Sequence, residues 1–276
     1  MIARLAPVLL CTGCHLLFQL EEVQPTPDGD SDAPALNCTI PYVSPGDFDD
    51  DGIDNAHDLC PMVSGDMPDS DGDGVGENCD PHPTVAGDCV LVFQDFRETT
   101  LPCWTTNRWQ YDGDGWSTPS PSDRETLVCS ALASISYGIM IGRILEPSTD
   151  PLRAVLVMYR YGGGVDLTGD VCGVKQLSDA FAVTSGLWKN DMLTIGSVSP
   201  SNPTLAFQPA VVQLDRWTAG PSASLCTLKA STGTSATGAT TDAYAGVTGR
   251  LAIHSIATRF RVQAFVGYGV GNACPR

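Results

Sequence analysis

Two aspartate-rich loops constrain this chain more than any other stretch. Residues 47–58 read Asp-Phe-Asp-Asp-Asp-Gly-Ile-Asp-Asn-Ala-His-Asp, and residues 69–80 read Asp-Ser-Asp-Gly-Asp-Gly-Val-Gly-Glu-Asn-Cys-Asp. Both place side-chain oxygens at positions 1, 3, 5, 9 and 12 and glycine at position 6. A hard divalent cation such as calcium takes six to eight oxygens at about 2.4 Å. A loop wound round it offers every second side chain, turns sharply at the glycine and adds the carbonyl of position 7. The expected donors are Asp47, Asp49, Asp51, Ile53 through its carbonyl, Asn55 and Asp58 in the first loop. In the second they are Asp69, Asp71, Asp73, Val75 through its carbonyl, Glu77 and Asp80. Carboxylates about 5 Å apart repel by about 3 kcal/mol at an effective dielectric near 20, so each loop resists closure without a cation. A solvated acidic linker is also rich in Asp and Gly, but it has no reason to keep this spacing twice.

The charge tracks the loops. The formal net charge is −17, yet residues 15–88 hold fifteen Asp and three Glu with no Lys or Arg, whereas residues 89–276 balance fourteen acids against fourteen bases. A neutral body therefore carries an acidic arm, which excludes nucleic acid as a partner and points to cations. No run approaches the roughly 18–20 apolar residues of a membrane-spanning helix.

The C-terminal flanks separate the loops from EF-hands: position 12 is Asp, and Pro61, Gly65 and Pro68 prevent an exiting helix. Cys60-Pro61 after the first loop and Cys79-Asp80 in the second resemble thrombospondin type 3 repeats, tandem aspartate loops that wrap calcium and bridge successive cysteines. The resemblance spans residues 47–81, with Asn55 and Glu77 standing where Asp is usual. It implies calcium as cofactor and Cys60 paired with Cys79. A calcium-loaded block is expected to act as a rigid stalk.

At the N-terminus, Arg4, the apolar residues 5–10 and Leu10-Cys11-Thr12-Gly13-Cys14 resemble a bacterial lipoprotein signal, with Cys14 as the acylated residue. A plain secretory signal is the alternative. Beyond Cys11-Thr12-Gly13-Cys14 the cysteines lie along the whole chain with no further CxxC pair, which favours an oxidising compartment. Cys89 and Cys274 would join the ends of the C-terminal domain. Pairing of Cys38, Cys103, Cys129, Cys172 and Cys226 stays open. The expected organisation is a signal over residues 1–13, a disordered acidic tether over 14–46, calcium-binding repeats over 47–83 and a β-sandwich over 88–276.

From residue 88 the composition turns to Val, Leu, Thr, Gly and Ser. Short apolar or alternating runs cover residues 89–96, 104–111, 126–132, 137–145, 153–161, 171–177, 192–198, 211–214, 224–230, 250–256 and 259–268. About eleven short strands between Gly, Pro and Asp turns predict an all-β sandwich. Arg259-Phe260-Arg261-Val262-Gln263-Ala264-Phe265-Val266 predicts a strand with one wet and one packed face. Phe93 to Phe96 with Trp104 and Trp109, and the closing Gly249-Arg250-Leu251-Ala252-Ile253 and Arg-Phe strands, resemble concanavalin A-like jelly rolls of the laminin G type.

Some hydrolases of that architecture use paired carboxylates on one strand. Here no ExDxE or ExDxxE run occurs: Glu98 and Glu146 have no acid two residues away, Glu125 has only Asp123 before it, and Asp112-Gly113-Asp114-Gly115 reads as a turn. Gly162-Gly163-Gly164 reads as a turn or bulge, and His254 as structural. Trp104, Trp109, Trp116, Trp188 and Trp217 are core or edge residues, with a sugar-stacking platform as the alternative. The expected protein is a calcium-binding, lipid-anchored protein of a bacterial outer membrane or cell surface. Its non-catalytic sandwich would serve adhesion or recognition of glycan or protein, the alternative being an unusual or degenerate polysaccharide hydrolase.

Overall fold

The computed structural model describes residues 40–65, 67–106, 108–121, 124–133, 135–147, 150, 153–161, 169–177, 180–189, 192–200, 210–218, 223–231, 235–241 and 249–274. The expected signal, Cys14, Cys38, residues 14–39 of the tether and Gly162-Gly163-Gly164 lie outside them. Ala35–Arg276 is one compact unit.

The described strands are β1 (Tyr42–Val43), β2 (Asp88–Asp95), β3 (Trp104–Thr105), β4 (Gln110–Tyr111), β5 (Trp116–Ser117), β6 (Arg124–Ala133), β7 (Tyr137–Pro147), β8 (Ala154–Tyr161), β9 (Gly169–Leu177), β10 (Ala180–Lys189), β11 (Met192–Pro200), β12 (Ala210–Thr218), β13 (Ala223–Ala230), β14 (Ser235–Thr241), β15 (Gly249–Ile256) and β16 (Thr258–Val270). They form two sheets. The first runs β1-β2-β16-β7-β12-β13-β14, with the β4–β5 hairpin on β16, and the second runs β11-β10-β9-β8-β15-β6-β3. The chain crosses between sheets, and its first long strand lies beside its last. The fold is all-β, a jelly-roll sandwich.

Alternation builds the core. Val155, Val157 and Tyr159 of β8 meet Met140, Val212, Leu214, Phe260 and Phe265 of the first sheet in one cluster, with Phe96, Trp104 and Trp109 also buried there. Ala154, Leu156 and Met158 point the other way and join Val171, Ala252 and Ile256 in a separate buried cluster, so β8 reads as continuously apolar. The Cys172–Cys226 disulfide ties β9 of one sheet to β13 of the other. Cys103 is also disulfide-bonded, and Cys89–Cys274 joins β2 to the chain end as expected.

Two expectations change. Residues 40–46, assigned to the tether, belong to the fold: β1 pairs in parallel with β2, and Ser44 is fully buried. The wet face expected along β16 holds only for Arg259, Arg261 and Gln263. From Ala264 on, Val266 and Tyr268 lie under the repeat block. The block is therefore a cap on the outer face of the first sheet and not a projecting stalk. The apolar side chains between its loops carry this packing, and charge counting does not reveal them.

Candidate cation site

The two acidic loops share one backbone plan at an offset of 22 residues. In the first, Asp47 Oδ2 accepts from the Gly52 amide (2.8 Å), Asp51 Oδ1 from Ile53 (2.8 Å) and Asp58 Oδ1 from Cys60 (2.8 Å). In the second, Asp69 Oδ2 accepts from Gly74 (3.0 Å), Asp73 Oδ1 from Val75 (3.0 Å) and Asp80 Oδ1 from His82 (2.6 Å). The carboxylate at position 5 closes each unit: Asp51 Oδ2 accepts from Gly65 (2.9 Å) and Asp73 Oδ2 from Gly87 (3.0 Å). Gly52 and Gly74, at φ +93° and +94°, make the turn at position 6.

Each loop draws its first three aspartates together. Oxygens of Asp47, Asp49 and Asp51 lie within 4.8 Å of one another, as do those of Asp69, Asp71 and Asp73. Both oxygens of Asp49, both of Asp71 and Oδ2 of Asp58 are buried and accept no well-directed hydrogen bond. The adjacent amides of Asp51 and Asp73 only graze Asp49 and Asp71. Desolvation, then the neighbouring Asp51, Asp58 and Asp47 charges, raise the Asp49 carboxyl above its ordinary range. Desolvation raises Asp58 and Asp71 too, reinforced by neighbouring aspartates. Buried carboxylate oxygens without donors need a cation or a proton.

The other expected donors divide. Asn55, 2% exposed, receives the Phe48 amide on Oδ1 and donates from Nδ2 to the carbonyls of Ser44 and Pro45, so its side chain clamps the loop entry. Glu77 accepts from Ser70 Oγ at the surface. The amides of Ile53 and Val75 are fixed by Asp51 and Asp73, and the Val75 side chain packs into the cap.

Asp88, outside the expected set, joins a third cluster with Asp73 and Asp80. It is the first residue of β2, its amide donates to Asp73 Oδ2 (2.7 Å), and its Oδ2 lies 3.0 Å from His82 Nδ1. Burial, then a hydrogen bond with Asp88, raises Asp80 to about 7. The period could have revealed this residue, since Asp66 and Asp88 each come fifteen residues after the carboxylate at loop position 5. Asp66 lies outside the described residues.

The cap is pinned by the Cys60–Cys79 disulfide, as the resemblance implied. Together with Val75 it packs on Phe93, Tyr137, Ile139, Val266 and Tyr268. The rings of Tyr137 and Tyr268 stack at 5.2 Å, and Phe48 meets Phe93 edge-on at 5.8 Å. Gly76 allows the two halves to touch: a Cβ there would lie 2.7 Å from Met67 Cβ and 2.8 Å from Cys60 Sγ.

In the sandwich, Asp112 and Asp114 flank a turn and both pair with Arg261. Asp95 pairs with Arg97, Glu125 with Arg108 and Asp215 with Lys229, at 2.8–2.9 Å. His254, 1% exposed, is held by Thr126 at 2.8 Å and lowered to about 4 by burial.

No protein-family model and no curated protein matches the chain. Among solved structures, an isoform of the Lotus tetragonolobus seed lectin aligns at 9% identity over 66% of this chain and 100% of its own, with a TM-score of 0.48. Peanut lectin bound to a 9mer peptide aligns at 9% identity over 66% and 97%, TM-score 0.46. The carbohydrate-binding module CBM66 from Bacillus subtilis aligns at 14% identity over 58% and 92%, TM-score 0.39. At these values the likenesses assign neither family nor ligand.

Proposed function

We propose that this chain is a calcium-binding recognition protein, in which two acidic loops each hold one calcium ion and the jelly-roll sandwich presents the binding surface. The observation that carries the metal reading is that both oxygens of Asp49 and Oδ2 of Asp58 are buried without a well-directed donor beside Asp47 and Asp51. Asp58 is only 9% exposed, so its second oxygen cannot be satisfied by bulk water. An oxygen-only set in a glycine-turned loop suits a hard cation of flexible coordination, which is calcium rather than a transition metal. Asp47, Asp49, Asp51, Asp58 and the Ile53 carbonyl would hold the first ion. Asp69, Asp71, Asp73, Asp80, Glu77 and the Val75 carbonyl would hold the second.

For the sandwich we infer adhesion or recognition of a glycan or protein without catalysis. Among its described residues, buried Asp95, Glu125 and Asp215 are each engaged by arginine or lysine, which supports binding over hydrolysis. Trp104 and Trp109 are core residues, but Trp116 is half-buried. Its Nε1 donates to the Glu98 carbonyl (3.0 Å), and the Tyr111 hydroxyl beside it donates to the Arg97 carbonyl (2.8 Å). Rings fixed by their polar tips offer rigid faces to a sugar at low entropic cost. The leader and Cys14 motivate a lipid-anchored place at the cell surface.

Native mass spectrometry of the full chain in millimolar calcium should show two ions retained after desalting, and calorimetry should show heat of binding. A chain that retains no calcium refutes the metal reading. A glycan array, repeated with Trp116→Ala, tests the sandwich, and silence on every glycan leaves only the protein-ligand form.

A further inference from the structure

We infer that the two loops are unequal and that the weaker one works as a calcium-responsive latch on the edge of the first sheet. The inference rests on the calcium reading above and goes beyond it by ordering the sites. The loops share a backbone plan but differ in the charge offered to an ion. Position 9 is a neutral Asn55, committed to backbone carbonyls, in the first loop and an anionic Glu77 in the second. The first loop also faces a fixed cation. The Arg97 guanidinium lies 4.2 Å from the centre of the Phe48 ring, within the field of Asp47 and Asp50. Beside the second loop the described contact with a base is His82, which pairs with Asp88. Calcium affinity in such loops rises with ligand charge. The first loop should therefore empty first as calcium falls.

The contacts held by the first loop give this order a consequence. Asn55 Nδ2 donates to the Ser44 carbonyl, while Ser44 Oγ receives the Asp95 amide (3.0 Å) and Gln94 Nε2 (3.0 Å). The Ser44 amide donates to the Phe93 carbonyl (2.9 Å), and β1 covers the outer edge of β2 through Tyr42 opposite Val92 and Val43 opposite Phe93. Phe48, between Arg97 and Phe93, completes the grip. The second loop holds other parts: Asp73 receives the Asp88 amide, Gly76 bonds to the Leu59 carbonyl, and Cys79 is bridged to Cys60. Emptying the first loop alone frees β1 and exposes the edge of β2 while the disulfide-pinned remainder of the cap stays in place. An open edge of this kind accepts an added strand.

Amide hydrogen exchange on the full chain, from chelator to millimolar calcium, tests this directly. The Ser44, Phe48, Asn55 and Asp95 amides should lose protection at a calcium concentration roughly tenfold or more above that which opens Gly76, Glu77, His82 and Asp88. Glu77→Gln, at the surface, should raise the second midpoint about tenfold and leave the first unmoved. Arg97→Gln should lower the first midpoint by a similar factor; because it strips Asp95 of its partner, Glu77→Gln is the decisive variant. A common midpoint, the reverse order or an unmoved Glu77→Gln midpoint overturns the latch and leaves calcium binding standing. Indifference of both groups of amides, with no ion retained in mass spectrometry, overturns both.

Discussion

Replacing Asp49 with Asn should change stability in opposite directions with and without calcium. The oxygens of Asp47, Asp49 and Asp51 lie within 4.8 Å of one another. At an effective dielectric near 20, each such pair of charges repels by about 3 kcal/mol. Asp49 is only half-buried and water screens the loop, so the relief from removing one charge is about 1–2 kcal/mol. No hydrogen bond is lost, because Asp49 accepts none that is well directed. In chelator the variant should therefore melt about 2–8 °C higher than the parent, at roughly 2–4 °C per kcal/mol for a domain of this size. In calcium the same change removes one negative charge and one carboxylate oxygen from the ligand set, and the midpoint of binding should rise about tenfold, or about 1.4 kcal/mol. Differential scanning fluorimetry in both media, with calorimetric titration, measures the two signs. A variant that loses stability equally in chelator and in calcium refutes the reasoning, because Asp49 would then be a structural residue and not a cation ligand.

The same geometry sets two further outcomes. Gly76→Ala forces a methyl to within 2.8 Å of Met67 and Cys60, so it should cost about 1–3 kcal/mol in urea unfolding, with near-ultraviolet dichroism of Tyr137 and Tyr268 altered; an unchanged midpoint and spectrum would remove Gly76 as the point of closest approach. Asp49, Asp58 and Asp80 titrate above their ordinary range, so the stability they give the calcium-free fold is full below about 3.8 and lost as pH rises, for Asp80 through about 7. Calcium reverses this slope, because protons compete with the ion. His254, lowered to about 4, adds the opposite slope below about 6.5 in both media, so it cancels in the difference. Melting curves from pH 5 to pH 8 should therefore diverge with pH, calcium gaining on chelator, and parallel curves would contradict the assignment.

Much of this fold is legible in order along the chain. The aspartate spacing marks both loops because the demand it answers is local to one short loop, and the structure repeats the carboxylate-to-amide bonds of positions 1, 5 and 12 in both. Ten of the long strands, among them β2, β8, β15 and β16, stand out as apolar or alternating runs. By contrast β14, Ser-Ala-Thr-Gly-Ala-Thr-Thr, reads as a Thr-rich excursion, since its strand state comes from pairing with β13 and not from its own side chains. Residues 180–189 form β10 between β9 and β11 for the same reason.

The sequence alone determined that this chain has an acidic, cation-directed segment and a β-rich neutral body, because charge spacing and side-chain alternation are local properties. Only the tertiary structure decided where the acidic segment lies. Its few apolar side chains, Phe48, Met62, Val75 and the Cys60–Cys79 bridge, cover a strip of β2, β7 and β16 whose residues come from opposite ends of the chain. That strip exists only after distant strands pair. The same assembly brings Asp88 to Asp73 and Arg97 to Phe48, contacts that arise when the sheet carries β2 beneath the loops.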